Sequence, residues 1–319
     1  MKRFLPFLLT LLLLAGCAAP AGPSESADQS ASQAEPRLSV VTTIFPPYDF
    51  VREIAGDKAE LTMLLAPGQE MHSYEPTPQD MIRIQNCDVF LYVGGESDSW
   101  VPGVLDAIDS KDKQIVVMMD AVDAVTEEVV AGMQQTEEEE EEGPAYDEHI
   151  WNDPNNAVLI ASQIAQALSK ADPANETLYS SNLETYTKKL STLDQKFKTM
   201  VQQARRQEIV VADRFAHRYL TEAYGLTYAA AFPGCSEETE PSASTVAFLI
   251  DKVRQEKIPA VFYMEFSNQK MARVIQEATG AKPLLLHSIH NVTPEEFHQG
   301  VTYLELMEGN LSTLQEALN

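Results

Sequence analysis

The segment YSSNLETYTKKLSTLDQKFKTM (residues 179–200) decides how this chain is organised. Tyr179, Leu183, Tyr186, Leu190, Leu193, Phe197 and Met200 recur at alternating spacings of four and three, which is one apolar stripe along a helix. No strand signal interrupts residues 155–206. The spacing therefore predicts a rod of about 30 residues, roughly 45 Å long at 1.5 Å per residue. What flanks the rod is different on both sides. Upstream, LSVVTTIF (38–45), AELTMLLAPG (59–68), CDVFLYVGG (87–95) and KQIVVMMDAV (113–122) read as strands. Helical stretches YDFVREIAG (48–56), TPQDMIRIQN (77–86) and SWVPGVLDAIDS (99–110) lie between them. Downstream the pattern restarts. EIVVADRF (208–215), AYGLTYAAAF (223–232), IPAVFYMEF (258–266) and AKPLLLHS (281–288) read as strands, with helices at 242–257 and 268–280 and one closing helix over 293–319. Continuous apolar runs alternating with helices imply central, mostly parallel sheets. The expected fold is α/β, two lobes joined by one long rigid helix. Its boundaries are 38–172 for the first lobe, 173–206 for the linker and 207–319 for the second lobe.

The chain opens on MKRFLPFLLTLLLLAGC (1–17), a basic start, an apolar run and small residues before a cysteine. That is a secretory signal, too short for a membrane-spanning helix. Its end is similar to the bacterial lipobox, which implies cleavage after residue 16 and a lipid on Cys17. The Ala-, Ser- and Pro-rich segment to residue 37 reads as a disordered tether. The expected location is extracytoplasmic, anchored to a bacterial membrane by lipid. Cys87 and Cys235 could pair in such a compartment, but two distant cysteines do not make a disulfide framework. A net charge of −25, from 23 basic and 48 acidic residues, argues against nucleic acid as a partner.

In open α/β sheets ligands bind beyond the carboxyl ends of strands. Five of the six histidines fall at or just past such edges: His72, His149, His217, His287 and His290. Asp213 ends another strand. Imidazole is the commonest protein ligand for zinc, and three or four such donors make a tetrahedral site. No HExxH, CxxC, GxSxG or P-loop occurs, so the signs of a metal-activated nucleophile or a phosphate cradle are missing.

Two segments carry a family resemblance. APGQEMHSYEPTPQD (66–80) and EHIWNDPNNA (148–157) resemble the His-x-Tyr-Glu-Pro-Thr and His-x-Trp-x-Asp-Pro segments of cluster A-I metal-binding lipoproteins. This is the ZnuA/TroA/AdcA-like group serving zinc and manganese ABC importers. YGLTYAAAFPGCSEETEPSAST (224–245) is similar to the second lobe in order and spacing. The resemblance implies the TroA-like fold with metal held in the interlobe cleft. It places the first ligand on His72, the second on His149 and the fourth on His287. The third falls on Arg214, which stays protonated and cannot bind a cation. Asp213 and His290 stand as alternatives for the remaining position. Arg214, Glu240 and His217 form its expected surroundings, with Glu240 holding Arg214.

The implied function is capture of a divalent metal and its delivery to a cognate ABC permease and ATPase by a monomer, without turnover. Zn2+ is favoured and Mn2+ is second, since three imidazoles without a firm carboxylate suit zinc. Two alternatives stand beside it: a zinc-dependent extracytoplasmic enzyme using a general base such as Glu75, or a surface adhesin with a structural metal. The run Glu137–Glu142, inside an acidic loop at 134–148, reads as a solvated funnel that concentrates cations near His149.

Overall fold

The computed structural model describes residues 37–135, 145–236 and 240–319. The signal segment, Cys17, most of the tether and the glutamate run lie outside the described residues. In the first half, β1 (Leu38–Thr42), α1 (Phe45–Ala55), β2 (Ala59–Met63), α2 (Pro78–Asn86), β3 (Val89–Tyr92), α3 (Val101–Ala107) and β4 (Gln114–Val117) follow one another. The strands form a parallel sheet of order β2-β1-β3-β4. Then come α4 (Pro154–Ala171) and α5 (Glu176–Gln203). In the second half, β5 (Glu208–Arg214), α6 (Arg218–Tyr224), β6 (Thr227–Phe232), α7 (Ala243–Glu256), β7 (Ala260–Tyr263), α8 (Lys270–Thr279) and β8 (Lys282–Leu285) build a second parallel sheet. Its order, β6-β5-β7-β8, repeats that of the first. The strand order reverses between β1 and β3 and between β5 and β7, the crevices where such sheets take ligands.

The predicted rod is α5, 28 residues long. Its stripe buries Tyr179, Tyr186, Leu190, Leu193, Phe197 and Met200, and Leu183 is partly covered. One apolar core runs from Val40 and Phe50 through α4 and α5 to Val211, Phe262 and Leu314. The halves thus share a core instead of hanging on a loop, and a shared core resists hinge opening. Smaller clusters cover the outer faces of the sheets around Phe90 and around Val261.

The closing helix is broken where the sequence reading expected one rod. α9 (Pro294–Gln299) and α10 (Tyr303–Leu318) are separate. Gly300 takes φ +74°, the left-handed conformation that ends α9, and Thr302 opens a new capping box with Glu305. The break lets the Tyr303 N–H reach the buried Asp49 carboxylate on α1 at 2.7 Å. Among the described residues no helix is long and apolar enough to cross a membrane.

Candidate metal centre

Each candidate side chain sits past the carboxyl end of a strand or at the head of a helix. His72 lies in the loop between β2 and α2, ahead of the Thr77–Asp80 capping box that fixes the start of α2. His149 precedes a short 3-10 turn, Ile150–Asn152, that feeds α4. The two rings approach with centroids 5.4 Å apart, and Trp151 packs edge-on against His149 at 5.5 Å. His72 Nδ1 is 2.9 Å from Ser97 Oγ, and His149 Nδ1 is 3.1 Å from Asp147 Oδ1. A carboxylate can only accept, so His149 carries its proton on Nδ1 and keeps the Nε2 lone pair.

Burial, with His149, Arg214 and His290 close by, holds His72 well below the usual imidazole range. It is therefore neutral and basic toward a metal. Burial also opposes the charged form of His149, but Asp147, Glu148 and Glu127 outweigh it and raise its pKa.

The loop after β8 supplies the other two imidazoles. Ser288 Oγ donates to Glu265 Oε1 at 2.5 Å, and the Ser288 N–H donates to Oε2 at 2.8 Å. With its proton so placed, Ser288 Oγ accepts from His290 Nδ1 at 2.5 Å. The His290 lone pair then lies on Nε2, which is buried with no hydrogen-bond partner among the described residues, 3.4 Å from Glu70. His287 is the opposite tautomer. Its Nδ1 accepts the Ile289 N–H at 2.9 Å, so the proton is on its buried, unpartnered Nε2. Burial pushes the Glu265 carboxyl upward, but His287, His290 and Ser288 outweigh it and hold it far below the carboxylate range. The loop is anchored from the first half: the Trp151 indole N–H donates to the Ser288 carbonyl at 2.8 Å, and Phe45 N donates to His290 O at 3.1 Å.

Arg214 ends β5 and pairs with Glu70 across the cleft. The expected pairing with Glu240 does not form. Glu240 is exposed and accepts from Lys270 at 2.9 Å, while Arg214 is already taken by Glu70. Asp213 accepts the N–H groups of Arg214 at 3.0 Å and Met264 at 3.4 Å and lines the same cavity as His72. His217 is fully buried at the head of α6, edge-on to Phe215, and burial pushes its pKa down to about 4. A cavity of about 710 Å³ opens beside Glu70, His72, Arg214 and Glu265.

Cys87 and Cys235 are both free thiols. Cys87 packs in the outer core of the first sheet, whereas Cys235 lies beyond β6 at the cleft, so no disulfide joins them. Burial, with Asp147, Glu127 and Glu148 around it, pushes the Cys235 thiol well up. Glu148 accepts the Ser97 N–H at 2.8 Å through Oε1, and burial raises its pKa to about 7. Glu70, Glu148, Cys235 and Glu265 escaped the sequence reading, which looked for histidines at strand edges. The same position test applied to other donor types finds Glu265, one residue past the apolar run AVFYM (260–264).

Comparison with known proteins agrees with this architecture. The profile of the family described as "Zinc-uptake complex component A periplasmic" matches residues 40–317. The chain is 30% identical over 315 residues to the high-affinity zinc uptake system protein ZnuA of Bacillus subtilis, covering 96% of this chain and 94% of that protein. It is 31% identical over 290 residues to the zinc-binding lipoprotein AdcA of Streptococcus pneumoniae. That match covers 89% of this chain but only 56% of AdcA, so the chain spans about half of that relative's length. Among solved structures, the Zn(II)-bound ZnuA-like domain of S. pneumoniae AdcA superposes with a TM-score of 0.72 at 29% identity, covering 89% of this chain and 99% of that domain. The metal-dependent lipoprotein YcdH of B. subtilis gives 0.76 at 28% identity, covering 89% and 100%. With two parallel sheets on one long helix and a profile match spanning nearly every described residue, this chain belongs to the ZnuA family of zinc-uptake components.

Proposed function

We propose that this protein captures Zn2+ outside the cell membrane and hands it to an ABC permease, without turnover. The observation that carries the reading is the set of three imidazoles, half-buried His72 with buried His149 and His290. Two of them touch, and the hydrogen bonds of His149 and His290 leave Nε2 as the free donor. Neutral imidazoles of this kind suit zinc better than manganese, which prefers oxygen. His290 takes the role that the family resemblance gave to His287, because the Ile289 N–H already occupies the His287 lone pair. His287 then shapes the loop that carries His290 by accepting the Ile289 N–H.

The remaining parts of the assignment follow the sequence. Residues 1–16 are a cleaved signal, Cys17 carries the lipid, and residues up to 37 tether the lobes 38–172 and 207–319 to the outer face of the membrane. Delivery requires release, and the shared core makes the opening small.

The test is metal analysis of protein purified without chelator, followed by zinc titration of His72→Ala, His290→Ala and His287→Ala. About one zinc per wild-type chain is expected, with binding weakened by orders of magnitude in the first two variants and less in the third. Wild-type protein that takes up no divalent metal refutes the reading. A greater loss in His287→Ala than in His290→Ala returns the third donor to His287.

A further inference from the structure

We propose that Cys235 is a zinc ligand in this cleft, its thiolate acting with Glu148 and His72 in a site whose Arg214 cannot bind a cation. The inference deepens the zinc reading and rests on it. Donor atoms of His72, Glu148 and Cys235 lie within 4.8 Å of one another, close enough to share a single ion. The second observation is independent of the cysteine. Glu148 is 1% exposed, and its Oε2 has no hydrogen-bond partner among the described residues while Oε1 is held by Ser97. A buried carboxylate oxygen without a donor is costly unless a cation completes it.

The surrounding backbone is built to hold this arrangement. Gly95 has φ +115°, and a Cβ there would stand 2.6 Å from Glu148 Oε1. Gly234, next to Cys235, would place a Cβ 2.7 Å from the Phe215 carbonyl. The Cys235 N–H donates to Glu127 Oε1 at 2.7 Å, which fixes the turn. The turn and the His149 loop are thus pressed together with no room for side chains between them.

Charge makes the same point. Three imidazoles leave a dication uncompensated, and the Glu70 carboxylate is already taken by the Arg214 guanidinium. A thiolate and a carboxylate offset this. As the metal–sulfur bond forms, the thiol proton passes to solvent and the sulfur keeps its electron pair, with no redox change. A sulfur donor also biases the site toward zinc over manganese.

Cobalt(II) reports the ligand directly, because a thiolate bound to cobalt gives a sulfur-to-metal charge-transfer band in the near ultraviolet. The full chain is loaded with Co2+, and C235S and E148Q are titrated beside it with Zn2+ and Mn2+. The wild-type complex is expected to show the band and C235S to lack it. C235S should bind zinc about tenfold or more weakly while its manganese affinity changes less, and E148Q should lose zinc affinity without losing the band. Alkylation followed by peptide mapping gives a second measure that needs no variant: saturating zinc should protect Cys235 in the wild type.

A cobalt complex without the band, together with Cys235 alkylated equally with and without zinc, overturns the thiolate assignment and leaves the zinc reading standing. Wild-type protein that binds neither Co2+ nor Zn2+ overturns both.

Discussion

Trp151→Phe tests whether the two halves of the centre are held by one buried residue. The Trp151 side chain has no exposure. Its indole N–H donates to the Ser288 carbonyl at 2.8 Å, its own carbonyl accepts the Tyr303 hydroxyl at 2.6 Å, and its ring abuts His149. Phenylalanine keeps most of the ring contact and deletes the donor. The Ser288 carbonyl then loses its indole partner in a buried loop, a loss of about 1–3 kcal/mol. The missing pyrrole ring leaves a void of a few tens of Å3, which at ~24 cal/mol per Å3 adds on the order of 1 kcal/mol. The sum, about 2–4 kcal/mol, corresponds to a melting-point drop of roughly 3–7 °C for a body of this size.

The same bond positions the His290 loop, so zinc affinity should fall about tenfold. The rise in melting point on adding zinc should shrink accordingly. Thermal melts of metal-free and zinc-loaded protein, with a chelator-competition titration, measure both quantities. Tyr303→Phe is the control: it removes one hydroxyl, costs about 1 kcal/mol and should leave zinc affinity nearly unchanged. A Trp151→Phe protein that melts within about 1 °C of wild type would refute the reasoning, since ~2 kcal/mol corresponds to several degrees. Stability lost with full zinc affinity would show that the loop is held elsewhere.

Three further outcomes follow from the same geometry. Zinc must displace the proton from His149, whose pKa Asp147 raises, so affinity should weaken as pH drops through that raised value. Asp147→Asn should move this weakening to lower pH and cost about 10–100-fold in affinity at high pH, measured by competition titration across pH. Gly95→Ala should destabilise the protein by about 1–3 kcal/mol and impair zinc uptake, because φ +115° and the Glu148 oxygen both exclude a Cβ; chemical denaturation reads the first and titration the second. Asp49 is raised to about 6, burial outweighing Arg52 and the Tyr303 N–H. The folded state therefore holds this proton after the unfolded chain has released it. Its contribution is present below about pH 4 and is lost by about pH 6, a change on the order of 3 kcal/mol. The stability difference between wild type and Asp49→Asn, followed by denaturation between those pH values, should move against the wild type as pH rises.

The fold was legible because its signals are local. The four-three stripe on α5 and the apolar runs bounded by turns need no partner to be recognised. Gly300 was visible too, but only the Asp49 carboxylate on α1 shows why the chain breaks there. For the metal centre, strand-edge position identified every histidine that the structure gathers. It could not assign tautomers. His287 and His290 look alike in the sequence, and what separates them is which hydrogen-bond partner each Nδ1 meets in space. Nor could it pair Arg214 with Glu70, since 144 residues lie between them and the bond exists only across the cleft.

Arg214 occupies a place that the family resemblance gives to a metal ligand, and the charges around it explain how a zinc site can tolerate that. Burial pushes the Glu70 carboxyl up, but His290 and Arg214 more than reverse it, so Glu70 stays ionised and spends its charge on the guanidinium. Glu265 spends its charge on the Ser288 hydroxyl and N–H. Neither carboxylate is free to compensate a dication. Glu148 keeps one oxygen uncommitted, and it lies beside Cys235 and His72. On the proposed reading, a fixed cation at Arg214 moves the anionic demand onto the donors that remain. A Lys or Gln in place of Arg214 would leave Glu70 with an imperfect partner, and Glu70 would then compete for the metal with His72, two residues away.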